Sequence, residues 1–181
     1  MDRLFEAQLA ASPDNPALLL RVASQSNKRG DYRRCSILLG RCINLGVKTF
    51  KVYSMRGNAL LKLAEAGSRS NQLSSMKQFV EGAIMYNKCI MLGALSGEAS
   101  LTILVNAARC YFRAGSYEQA VRLLSYLVEI LPSSPKMKDE IVEVALQASQ
   151  SLYALGHVDE AIHYMRFVFN QVTSKHKLKD G

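Results

Sequence analysis

Few side chains in this 181-residue chain are of a type and spacing that could carry covalent or metal chemistry. Cys35, Cys42, Cys89 and Cys110 show no C-x-x-C spacing, and the histidines are His157, His163 and His176. No second ligand stands at helical distance from His163, so the pattern builds neither a zinc site nor a disulfide framework. A P-loop, a G-x-S-x-G elbow and an H-E-x-x-H pair are all missing, which predicts a non-catalytic protein with no cofactor. The densest charged run is Lys28-Arg29-Gly30-Asp31-Tyr32-Arg33-Arg34 in a chain of net charge +8. Such a run fits nucleic acid or an anionic surface, or simply a solvated turn between helices. No nucleic-acid module accompanies it, so nucleic acid is the alternative reading and an acidic protein partner the first.

The elements that would position these residues are helical. Apolar residues make up 49% of the chain and proline only 4 residues, too apolar for disorder and without the long apolar run that a transmembrane segment needs. Met1-Asp2-Arg3-Leu4-Phe5-Glu6 lacks a secretory pattern, so the cytoplasm is the expected compartment. Self-similarity is plain at 101–134, where Leu104-x2-Ala107-Ala108-x2-Tyr111 precedes Gly115-x-Tyr117-x2-Ala120-x3-Leu124-x2-Leu127 and Pro132. Alternating large and small residues let two antiparallel helices approach closely, with Gly115 turning the chain. This unit resembles the tetratricopeptide repeat.

Further copies follow the same template. Residues 142–175 contain Ala145, Ala148, Leu152, Gly156 and Ala161, and residues 16–49 contain Leu19, Val22, Ala23, Gly30, Tyr32, Cys35 and Leu39. Between them, 50–95 reads as a stretched repeat, with Tyr53, Gly57 and Leu60 on one helix and Phe79, Gly82 and Tyr86 on the next. Its surplus falls in 64–76, a Ser-, Asn- and Gly-containing stretch expected to form an inserted loop or extended helix ends. Residues 1–15 look like the second helix of a half repeat, and 176–181 like a polar tail. The resemblance therefore implies one all-α domain: a right-handed α-solenoid of about four helical hairpins plus an N-terminal half repeat.

A stacked array must cover its terminal faces. The last helix spreads Ile162, Met165, Phe167, Val168, Phe169 and Val172 around its circumference, so Phe167 and Phe169 are expected either to meet a second copy, a partner subunit or further repeats, or to fold back onto the first helix of their own repeat.

In the family that the chain resembles, the first helix of each repeat lines a concave groove that binds peptides. Carried over by helical spacing, the groove would comprise Arg21, Asn27, Lys28, Lys51, Asn58, Lys62, Asn106, Arg109, Arg113, Gln147, Gln150 and Tyr153. The resemblance implies that amides there pair with a peptide backbone while the cations select acidic side chains. The carboxylate clamp of chaperone-binding members is not reproduced: Asn58 and Asn106 match it, but Ser54, Glu143 and Gln147 stand where it needs cations. The expectation is a scaffold or adaptor that holds an acidic segment within a larger assembly.

Overall fold

A computed structural model describes residues 2–67, 71–92, 98–131 and 140–177. These residues form nine helices and no strand: α1 (Asp2–Ala11), α2 (Pro16–Lys28), α3 (Tyr32–Asn44), α4 (Phe50–Gly67), α5 (Gln72–Met91), α6 (Glu98–Arg113), α7 (Tyr117–Ile130), α8 (Glu140–Ala154) and α9 (Val158–Lys177). None is long and apolar enough to cross a membrane. The helices divide into two compact units, 1–95 and 96–181.

The hairpin turns show how short sequence signals set this architecture. After α2, α6 and α8 the chain passes through Gly30, Gly115 and Gly156, with φ of +78°, +73° and +84°. Glycine occupies that left-handed region without the steric cost a Cβ would bring. The next residue's N–H then reaches back to a carbonyl of the last helical turn: Asp31 to Ser26, Ser116 to Tyr111 and His157 to Leu152, each at 2.9 Å. One capping geometry thus closes three hairpins, and it returns the second helix antiparallel to the first. Helix starts are equally local. The Asn15 side chain accepts N–H bonds from Ala17 and Leu18 ahead of α2, whose first residue is Pro16, and Asp31 accepts from the Arg34 N–H at the start of α3.

In the first unit, α2, α3 and α4 bury Leu19, Val22, Ala23, Leu39, Val52 and Ala59. Arg41 of α3 ties the turn before α2 into place, donating to the Pro13 carbonyl and pairing with Asp14. The pairing of α4 with α5 rests on one small-to-large contact. Tyr86 is fully buried, and its ring lies 2.9 Å from where a Cβ on Gly57 would stand, so only glycine permits this approach. Within 64–76, residues 64–67 lengthen α4 and 72–76 lengthen α5. The reason is burial, since Ala64 and Ser75 are both enclosed and Asn71 caps the first turn of α5 by accepting the Ser74 N–H.

In the second unit, Val105, Ala108, Ala120, Leu124, Leu127, Ile141, Val144 and Ala148 form the core. Leu124 and Leu127 are fully enclosed, each worth about 1.5–3 kcal/mol of burial. Across α8 and α9 the buried Ser149 hydroxyl donates to the Ala161 carbonyl at 2.9 Å, giving a polar group on an apolar seam its partner. The joint at Pro132 and Pro135 lies outside the described residues, as does the polar tail beyond Lys177.

Candidate interaction surfaces

The basic run of the first unit is a built turn and one wall of a groove. Lys28 ends α2, Arg29 caps it, and Arg33 and Arg34 open α3 beyond the Asp31 cap. Cations at the carbonyl end of α2 sit favourably in the field of its unpaired C=O groups. Leu20, Arg21, Ser24, Gln25, Lys28 and Arg29, together with Lys51 from α4, enclose an open cavity of about 530 Å³. Four of these seven residues are cationic, and half-buried Leu20 supplies an apolar patch between them. Arg21, Lys28 and Lys51 are sequence-predicted residues that the fold brings together. Leu20, Ser24, Gln25 and Arg29 complete the set, and the spacing of four from Arg21 to Gln25 on α2 and on to Arg29 at its cap is the signal for the last two.

Asn27 is half-buried on the same helix and is not among the residues that line this cavity. Further along α4, Lys62 pairs with Glu65 at 3.1 Å, one turn away. Exposed Asn58 accepts the Tyr86 hydroxyl proton at 2.7 Å, so its carbonyl oxygen serves the α4–α5 contact. Nearby, the Arg56 guanidinium pairs with Glu81 and stacks over Gly40, 3.3 Å from where a Cβ would project. That contact joins α3, α4 and α5, and nothing in the sequence pattern points to it.

The second unit uses its cations differently. Arg109 on α6 reaches Glu143 at 3.2 Å through Nε and Glu140 at 3.3 Å through Nη2, both on α8. Gln147 is buried and donates to Glu143 at 2.8 Å. Arg109 thus ties α6 to α8, while Gln147 holds its acceptor Glu143 within α8, so both expected groove residues already have partners in the fold. Asn106 is half-buried and Arg113 exposed on α6. Gln150 and Tyr153 leave the α6 side altogether and line a cavity of about 490 Å³ with Val158, Ile162 and Met165 of α9. The two phenylalanines of α9 also part company. Phe167 packs against the core, whereas Phe169 is 67% exposed.

All four cysteines are buried thiols that form no disulfide. Burial pushes Cys35 up to about 11, helped by the nearby Asp31 charge, and burial alone does the same to Cys89. Thiolate forms more readily in the unfolded chain, so their contribution to stability is full below about pH 8.5 and is lost as pH rises toward 11. Denaturant titrations from pH 8 upward are expected to show falling stability over that window, and a Cys35→Ser, Cys89→Ser double variant a flatter profile. Among the described residues no group of three His, Cys, Asp or Glu could hold a metal ion.

No family model matches the sequence, and no curated protein matches it significantly. Solved structures do match in fold. MamA from Desulfovibrio magneticus, residues 41 to the end, is 13% identical with a TM-score of 0.62, over 95% of this chain and 84% of that one. YrrB, described as a TPR protein with an unusual peptide-binding site, is 14% identical with a TM-score of 0.59, over 92% and 74%. The TPR-like repeats of a Podospora anserina kinesin light chain are 18% identical with a TM-score of 0.59, over 96% and 86%. At these identities the likeness shows the shared fold.

Proposed function

From the tetratricopeptide-repeat fold of this chain, we infer that it is a non-catalytic interaction module whose ligand is an acidic protein segment, held on the α2–α4 face of the first unit. The observation that carries this reading is the convergence of Arg21, Lys28, Arg29 and Lys51 on one open cavity with Leu20 between them. A peptide alternating acidic and apolar side chains satisfies both features. Each exposed ion pair contributes under about 1 kcal/mol, so several must act together and binding must weaken as salt rises. The unusual peptide-binding site ascribed to YrrB supports peptide capture on this fold.

The test is fluorescence anisotropy with a labelled Asp/Glu-rich peptide and the full chain. Lys28→Glu with Lys51→Glu is expected to weaken binding about tenfold or more without altering helical content. Unchanged affinity in that variant removes the site. A labelled RNA that binds more tightly than the peptide, with a steep salt dependence, would transfer the assignment to nucleic acid through Lys28–Arg34.

A further inference from the structure

The outward face of α9 carries an exposed apolar stripe, and its own residues say what fits it. Ala161 faces the interior of the second unit, while Val158, Ile162, Met165 and Phe169 are 44–67% exposed. Their spacing of four, three and four is the a/d alternation of a coiled-coil stripe, narrower than the broad apolar face of a helix sunk in a core. Ile162 and Met165 form a ridge flanked by cavities of about 490 Å³ on the α8 side and about 370 Å³ on the side of Arg166 and Asn170. A second helix laid along the ridge would fill both with its own knobs.

The charges beside the stripe identify that helix. Asp159 and Arg166 occupy the same flanking position in successive heptads, each just after a d residue. Placed antiparallel against itself, the stripe forms layers of Val158 on Phe169 and Ile162 on Met165, each occurring twice about a two-fold axis. In that register, and with no adjustment, Asp159 of one copy lies opposite Arg166 of the other, again twice. The surface is therefore complementary to itself in shape class and in charge. We propose that α9 is a homodimerisation helix, pairing antiparallel with α9 of a second copy, with exposed Tyr153 of α8 closing over the edge. Four layers make a small interface, so the dimer is expected to dissociate in roughly the micromolar range.

Sedimentation equilibrium on the full chain tests this. The expected result is a concentration-dependent monomer–dimer equilibrium that Met165→Glu abolishes. Asp159→Arg and Arg166→Asp should each weaken it about tenfold, since each replaces two attractions by two repulsions. Both positions are exposed, so circular dichroism should show folded proteins. The double swap should recover dimerisation, and mixing the two single variants should yield a heterodimer tighter than either homodimer. A chain that stays monomeric up to its solubility limit overturns the proposal. A dimer indifferent to the single reversals, or a double swap no tighter than the singles, overturns it as well.

Discussion

Replacing Tyr86 with alanine is expected to destabilise the first unit by about 3–5 kcal/mol, the range for deleting a fully buried aromatic ring. Tyr86 is the largest wholly enclosed side chain in the molecule's described core. Its ring covers the bare Cα of Gly57, and its hydroxyl donates to Asn58 on the next residue of α4. Removal leaves a cavity against a glycine that has no side chain to relax into it. Tyr86→Phe should cost only the hydrogen bond, about 0.5–1.5 kcal/mol. The converse change, Gly57→Ala, sets two effects against each other. Alanine gains about 1 kcal/mol of helix propensity, while overpacking against a rigid ring costs about 1–3 kcal/mol. A Cβ 2.9 Å from Cε1 lies inside any normal contact distance, and the ring is held at both ends, so the loss prevails. Urea titrations followed by circular dichroism should place Tyr86→Ala well below both Gly57→Ala, whose net loss is about 0–2 kcal/mol, and Tyr86→Phe. A Tyr86→Ala variant within about 0.5 kcal/mol of wild type, the scatter of ordinary surface changes, would show that the α4–α5 contact is loose.

How much of this was legible beforehand depended on the range of the interaction involved. Hairpins closed by Gly30, Gly115 and Gly156 are written in short, local codes: a small residue at the seam, a glycine just past the helix end, a second helix beginning at once. Gly57 and Tyr86 belong to the same code, stretched along two lengthened helices. In that stretch Ser, Asn and Gly leave a loop and extended helix ends both open over 64–76. Burial of Ala64 and Ser75 decides for helix, and burial is a tertiary fact that composition does not carry. Helical period is enough to put Arg21 and Lys28 on one face, since both lie on α2, and they line one cavity. It carries no information on a partner that comes from another element. Asn58 meets Tyr86, and Arg109 meets Glu140 and Glu143, across intervals of 28 to 34 residues. On α9 the excess of apolar residues was visible, but the split between inward Phe167 and outward Phe169 needed α8 in place.

Arg109→Glu is the substitution in which folding and binding make opposite demands, and it is expected to lower the stability of the second unit by about 2 kcal/mol. Hydrogen bonds to charged groups contribute about 1.5–3 kcal/mol, and partial exposure here pulls the value toward the lower end. Reversal then adds repulsion, setting a third carboxylate beside Glu140 and Glu143 where Arg109 bridged them at 3.2–3.3 Å. Gln147, buried and donating to Glu143, would lose the fixed position of its acceptor. Arg109→Gln removes the attraction without the repulsion and should cost about half as much. Lysine, a point charge without the planar fork, cannot serve both acids in the same geometry and should fall between glutamine and wild type. Raising salt should narrow the gap between Arg109→Glu and wild type, because repulsion at a partly exposed site is screened. Thermal unfolding and peptide anisotropy on the same samples separate the two roles. If Arg109→Glu melts early but binds the acidic peptide normally at low temperature, the residue is an inter-repeat tie. A variant that melts like wild type and fails to bind would instead place Arg109 in contact with the ligand, and the groove would then have to draw on α6 as well as on α2 and α4.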